Sequence, residues 1–339
     1  MPLCWILIIQ KVAREKWYGA IFPKNSKSFS LFRRMRKILF IVFLGFFATL
    51  SAQESIDLLT VSGRYALPQS YNEIEGEATE SVFLANGRLP IVFSDKTIWY
   101  NNVTYTYSRV KHDAEGIDIP LTELHGVILQ TGLVRRIDDR RAFQFLIVPR
   151  LMTDGANAGS DAWQLGGIAM YEQRFNEKLR MRFGFMANRE MSGPLLVPLI
   201  DVLWNMSERW SLSGLLPIYG KLKYQAGKKF STGIAYFGLI TSYALSDATL
   251  QQHYMERTSI DFSLFGRWRV FGDFHLEGRL GYALDRNYER YSENDNIDLR
   301  VSILKLGDKR GEPLNATFSD GPFAELRLVY NLPLPDSAK

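Results

Sequence analysis

From residue 82 onward the chain alternates apolar and polar positions with a period of two, the repeat of a β-strand with unlike faces. Phe83, Ala85, Gly87, Leu89, Ile91 and Phe93 share one face, against Asn86 and Arg88. Between 143 and 151, Phe143, Phe145, Ile147, Pro149 and Leu151 alternate with Gln144, Leu146, Val148 and Arg150. Over 179–187, Leu179, Met181, Phe183, Phe185 and Ala187 oppose Arg180, Arg182, Gly184 and Met186. In 257–268, Ile260, Phe262, Leu264, Gly266 and Trp268 oppose Arg257, Ser259, Asp261, Ser263 and Arg267. The same holds for 274–284, with His275, Glu277 and Arg279 on the polar face, and for 323–332, with Glu325 and Arg327. These runs have about the 9–11 residues that a tilted membrane-crossing strand needs.

Weaker patterns predict further strands at 57–67, 97–109, 124–134, 162–173, 196–206, 210–224, 230–245 and 297–306. Some of these are expected to be loop or extension, and single-chain bacterial barrels favour even counts, so the expectation is about 12 strands, with 10 to 14 in range. Pro68 ends the first strand by removing a ladder donor, and 69–77 reads as an acidic linker. Short connectors at 176–178 and 271–273 fit one rim; longer polar ones at 111–120, 153–161, 246–253, 285–296 and 307–321 fit the other. A half-buried soluble strand alternates too, so a secreted or periplasmic all-β domain is the competing reading. Two features favour the membrane. Arg, Glu, Asp and His stand in mid-strand on the polar face, and aromatics gather towards strand ends, where a membrane barrel carries its girdles: Trp99, Trp163, Trp204, Trp210, Trp268, Tyr282 and Tyr330. The predicted fold class is therefore all-β: a transmembrane up-and-down antiparallel β-barrel, closed by its first and last strands and occupying 53–339 as one domain.

The start of the chain changes the picture of charge and location. Arg36 and Lys37 precede the apolar run Ile38 to Leu50, and Ser51-Ala52 offers small residues before Gln53. This is the pattern of a secretory signal, 35–52, cleaved near Ala52-Gln53, and the apolar run is shorter than a membrane-spanning helix. Residues 1–34 are read as an extension upstream of the initiating Met35, or a longer leader. The formal charge of the whole chain is +5. Nine of the 41 basic residues and one of the 36 acids precede Gln53, which leaves 53–339 near −3. The basic balance belongs to the leader, and a nucleic-acid partner is not expected. The single cysteine, Cys4, lies there as well, so neither a disulfide framework nor a thiolate metal site is expected.

The charges predicted to face the lumen are the candidate functional residues: Arg180, Arg182, Asp201, Asp261, Arg267, His275, Glu277, Arg279, Glu325 and Arg327. They select solutes by sign if the lumen is open, or fill it as an ion-paired plug if the barrel is narrow. His275 and Glu277 share a face with Ser259 and Ser263, the parts of a hydrolase set, but alternating inward polar residues assemble such sets by chance, and no catalytic residue is assigned. His112, His125 and His253 have no ligand spacing, and no metal or cofactor is expected. Pro198 and Pro217 stand inside strand patterns, where proline marks an edge, a start or a bulge; a bulge there would either correct the curvature or open the wall towards lipid.

Two stretches carry a resemblance. The run Leu215 to Tyr224 (LLPIYGKLKY), followed by Lys229 to Tyr236 (KFSTGIAY), resembles an uncharacterised family of Gram-negative outer-membrane β-barrel proteins, in which a proline-containing strand leads to a lysine-rich hairpin and a glycine-containing strand. The resemblance implies fold and location, the bacterial outer membrane, with its lipid and its assembly machinery as partners. It implies no catalytic set and no defined cargo. One departure is that Tyr330 is followed by nine more residues, whereas many such barrels end on an aromatic assembly signal. The function expected is passage of small solutes or hydrophobic compounds through or along the wall, for a cargo not specified. A closed structural or adhesive barrel working through its loops is the alternative, and a lipid-modifying enzyme the third.

Overall fold

The computed structural model describes residues 55–156, 159–246, 253–318 and 320–333. The extension 1–34, the signal 35–52 and its cut lie outside them. Among the described residues 18 strands form one sheet. They are β1 (Ser55–Ala66), β2 (Gln69–Ser70), β3 (Gly76–Arg88), β4 (Ile91–Ser94), β5 (Thr97–Ala114), β6 (Thr122–Arg136), β7 (Arg141–Thr153), β8 (Trp163–Arg174) and β9 (Leu179–Glu190). The remainder are β10 (Gly193–Asn205), β11 (Trp210–Leu216), β12 (Tyr219–Gln225), β13 (Phe230–Leu245), β14 (His253–Phe271), β15 (Phe274–Ser292), β16 (Ile297–Val301), β17 (Leu304–Asp308) and β18 (Gly321–Pro333).

Each ring strand pairs antiparallel with its neighbours, and β1 closes the ring by pairing with both β3 and β18. The closed ring holds 14 strands, because β2, β4, β16 and β17 stay outside it. That exceeds the expected 12 by two, and the difference has two physical sources. The stretch 210–224 is not one strand: Pro217 and Ile218 form a turn, and the segment folds into the hairpin β11–β12. The weak pattern at 297–306 is two short strands off the ring, and the run at 82–93 breaks at Leu89-Pro90, so that Ile91 and Phe93 fall on β4 outside the ring; the other predicted strands join it.

The outward face is apolar and stays exposed, as a surface solvated by lipid should: Phe145, Ile147, Leu165, Leu264, Trp268, Leu280 and Leu326 are all more than half exposed. At the levels where every ring strand has both neighbours, closure satisfies the ladder groups without an edge in hydrocarbon. Connectors 137–140, 175–178, 206–209, 226–229 and 272–273 are short and share one rim, with 89–96; 67–75, 115–121 and 293–320 are longer and share the other, where the two-residue turns 191–192 and 217–218 also lie. The stretch 69–77 is more than a linker. Tyr71 is buried and bridges to Phe318, and Glu73 accepts from Thr317 N and Oγ1 at 2.8 and 2.7 Å. Likewise 285–292, read as loop, continues β15 as strand to Ser292.

Candidate functional site

Two irregularities of the wall determine what the lumen is. First, β11 and β12 have seven residues each, against 13 in β10 and 16 in β13. Their contact with β10 stops at Ile200 and with β13 at Phe237. Above that level β10 and β13 have no ring strand between them, and the wall steps down by about half its height. Pro217 lies in the turn of the short hairpin and Pro198 just above the last paired residue of β10, so the prolines flagged by the sequence mark this step.

Second, the upper end of β13 leaves the wall and crosses the lumen. Ala244 pairs with Thr153 of β7, six strands away round the ring. Asp154 N donates to Ala244 O (3.0 Å), and Gln164 Nε2 to Ser242 O (2.8 Å). β14 and β15 follow it inward. Their register slips between Thr258 and Ile260, opposite Asp285, whose φ of 49° is the left-handed conformation that such a bulge requires. Side chains from opposite walls then meet: Val110, Leu124 and Met152 pack with Tyr243, Met255 and Tyr288, all nearly inaccessible.

Carboxylates tie this inward fold to the wall. Glu80 of β3, 1% exposed, accepts from Arg257 Nη2 (2.7 Å) and Tyr288 Oη (2.6 Å), with Arg64 at 3.5 Å and Arg286 at 3.8 Å. Glu190 accepts from Arg150 Nη1 (2.5 Å), from Asn188 Nδ2 (2.5 Å) and from the amide and hydroxyl of Ser242 (2.9 and 2.7 Å). Glu256 accepts from Arg300 Nη2 (2.8 Å) and Arg310 Nη1 (3.1 Å). Arg300 lies on β16, which runs parallel to β10 at Leu195 and Leu196, above the step. Hairpin β16–β17 thus lines part of the missing wall, with Ile303 and Leu304 strongly exposed at its tip. Alternation flagged none of these groups as special: Glu80, Glu190 and Glu256 look like ordinary polar positions until the long-range crossing is known.

Below the inward fold the lumen has two unlike sides. One is apolar. Leu146 and Val148 of β7, Ile168 and Met170 of β8, and Leu195, Val197 and Leu199 of β10 are buried together, with Leu215 and Ile218 packed against them. This side ends at the step. The other is ionic and contains most of the predicted lumen residues. Glu277, 1% exposed, is the hub, with Lys221 Nζ at 2.6 Å, Arg279 Nη2 at 2.7 Å, Arg267 at 3.7 Å and Arg327 at 3.8 Å. Arg267 also holds Asp57 at 2.7 Å, and Glu325 lies 3.7 Å from Arg279 and 3.8 Å from Arg327.

The remaining predicted residues sit apart. Arg182 Nε donates to Asp201 at 2.8 Å beneath the apolar side, and Arg180 lies 3.8 Å from Glu172. Asp261 pairs with Arg64 and accepts from Ser259 Oγ at 2.6 Å. His275 bonds the carbonyl of Asp273 (3.1 Å) at the short-turn rim, opposite Arg269. It is six strand positions from the level of Ser263, on the order of 20 Å along the strand, so the hydrolase parts are not brought together. No cluster with metal-ligand geometry occurs among the described residues.

Of the aromatic positions, Trp99, Trp204, Trp210, Trp268 and Tyr330 stand near the short-turn rim and Trp163 near the other, with Tyr282 on the outer face between Leu280 and Leu284. Three of them hold a second ring near the short-turn rim: Trp99 with Phe93 (5.6 Å), Trp210 with Tyr224 (4.9 Å) and Tyr330 with Phe274 (5.0 Å).

Solved structures similar to this chain include an outer-membrane channel, COG4313, from Pseudomonas putida F1, at 11% identity and TM-score 0.42, covering 85% of this chain and 98% of that one. A deletion mutant of the monoaromatic hydrocarbon channel TodX matches at 9% identity and TM-score 0.36, over 85% of this chain and 92% of the other. The NanC porin matches at 9% identity and TM-score 0.32, over 80% and 98%. No curated protein matches the chain. The sequence itself is matched over residues 49–296 by the pattern of one family, and the chain therefore belongs to the family described as a domain of unknown function, DUF6268.

Proposed function

We propose that this protein is a conduit of the bacterial outer membrane for small, largely apolar molecules, with its lateral opening at the β11–β12 step rather than along the barrel axis. The observation that carries the reading is one juxtaposition: the apolar side of the lumen ends where the wall is lowest. The inward fold of β13–β15 obstructs the axial path, and a molecule on the apolar side has the step as its nearest route to lipid. In this reading the charged residues set orientation and no group acts as a catalyst. The partners are outer-membrane lipid, the barrel-assembly machinery and an apolar cargo.

The test is binding and uptake of the neutral dye N-phenyl-1-naphthylamine by the refolded barrel, compared with Leu199→Asn and Val197→Asn. Polar groups on the apolar side should lower binding several-fold while heat-modifiable gel migration stays that of a folded barrel. Unchanged dye binding in both variants overturns the proposal. A closed barrel acting through its loops is the second reading, favoured by the packed upper lumen. A folded, dye-silent barrel with no conductance in a planar bilayer would support it.

A further inference from the structure

We infer that the molecule taken up is an amphipathic organic anion, with its tail on the apolar side of the lumen and its acid group on the ionic side. This rests on the conduit reading above and adds a charge to the cargo. Three observations lead to it. The ionic side is not neutral: Lys221, Lys223, Arg267, Arg279 and Arg327 face Asp57, Glu277 and Glu325, an excess of two positive charges. The excess is local, because 53–339 as a whole carries more acids than bases. The inward-facing side chains therefore run against the composition of the chain.

The second observation is Lys223. It shares the inward face of β12 with Lys221. Lys221 is committed to Glu277, with its ammonium 4.0 Å from the centre of the Phe265 ring. Lys223 forms no hydrogen bond or close ion pair among the described residues; the charges acting on it are those of Arg267 and Asp57. Asp57 is already taken, by Arg267 (2.7 Å) and by Asn331 Nδ2 (2.7 Å). A half-buried ammonium without a counter-ion is a poor structural element and a good anchor for a carboxylate, since charge-assisted hydrogen bonds are the strong ones.

The third is position. The hairpin that carries Lys221 and Lys223 on β12 carries Leu215 on β11 and Ile218 in its turn, packed against the apolar side. The two sides meet on this one hairpin, with Leu215 and Ile218 at the step and Lys223 four residues below Tyr219 along β12, on the order of 13 Å. Between them Tyr219 is 37% exposed and lies opposite Leu215. A molecule with a carboxylate and a short hydrocarbon tail satisfies both sides at once; a neutral alcohol of the same length satisfies one.

The experiment is displacement of bound N-phenyl-1-naphthylamine from refolded 53–339 by decanoate and by decanol, at low salt and neutral pH. Decanoate is expected to displace the dye at roughly tenfold lower concentration than decanol, as one charge-assisted contact gives. Lys223→Gln should remove most of that advantage, and Lys223→Glu should reverse it, with decanol displacement unchanged in both. Lys223 supports no ion pair of the fold, so both variants are expected to refold. Equal displacement by the two compounds, or a decanoate advantage that survives Lys223→Glu, overturns this inference and leaves the apolar conduit standing. A barrel that never binds the neutral dye overturns the conduit reading, and this inference falls with it.

Discussion

Glu80 offers the sharpest test of the inward fold. Its carboxylate is 1% exposed and stands among three guanidinium groups and the hydroxyl of Tyr288. Two of those guanidiniums, on Arg257 and Arg286, come from strands β14 and β15 where these have left the wall. Glu80→Gln keeps the shape and an acceptor for Tyr288 but removes the carboxylate that these arginines share. Arg257 and Arg286 are 5% and 1% exposed, so water cannot replace the lost charge without opening the structure. Breaking a buried pair from one side costs about 3–5 kcal/mol, far more than the 0–1 kcal/mol of an exposed pair. The value for Glu80 should fall in the upper range, because its carboxylate is shared by three guanidiniums.

The assay is urea unfolding of the barrel in lipid vesicles, followed by tryptophan fluorescence, beside single-channel recording in a planar bilayer. The expected result is a lower unfolding midpoint with an unchanged slope, together with larger or more frequent conductance steps as the crossing strands loosen. A loss below about 1 kcal/mol would match a solvated pair and refute the claim that this cluster is desolvated. A large loss of stability with no change in conductance would separate the cluster from the obstruction of the axis.

Other expectations follow from single contacts. Gly193 has φ of 123°, and a Cβ there would lie 2.1 Å from the Ile297 carbonyl oxygen, so Gly193→Ala should push β16 off β10. Limited proteolysis of intact cells should then cut near Ser302–Leu304 in the variant and spare the parent. Glu256→Gln removes the acceptor shared by Arg300 and Arg310 and should raise dye uptake by freeing hairpin β16–β17, with unchanged uptake counting against a covering role. Leu280, 72% exposed in mid-β15, should face hydrocarbon, and Leu280→Arg should destabilise the barrel by about 2–4 kcal/mol in urea titrations.

The membrane face was legible in the sequence because lipid imposes a strict rule on every second residue. The runs at 143–151 and 257–268 give the right face to each side chain from Phe143 to Leu151 and from Ile260 to Trp268. The lumen was legible only in part. Glu277 and Arg279 announce themselves as inward charges, but nothing local tells that Glu277 gathers cations from β12, β14, β15 and β18. Strand count failed at Pro217 because periodicity passes through a two-residue turn without a break: Leu215 and Tyr219 are four apart and stay on the same side. The crossing of β13 had no signal at all. Residues 239–245 read as more of the same strand, since leaving the wall changes what surrounds a strand and not its period.

The step and the crossing are best understood as one feature. A wall strand that lacks a neighbour in lipid leaves a row of unpaired amides and carbonyls, each costing several kcal/mol. A lowered hairpin at β11–β12 creates two such rows, one on β10 and one on β13. The structure gives groups of both rows new partners. β13 turns inward, where Ser242 N finds the Glu190 carboxylate and Ala244 O accepts from Asp154 N. β10 stays in the wall and takes β16: Ile297 N donates to Ser192 O and Ser302 N to Leu196 O. The opening is therefore compatible with a membrane only because the lumen is filled above it and the loop hairpin is laid beside it. It follows that lengthening β11–β12 by two strand residues on each side should compete with both partners at once. Such a variant should release β16–β17 to protease and weaken dye uptake together. If it did one without the other, the two irregularities would be separate accidents of the fold.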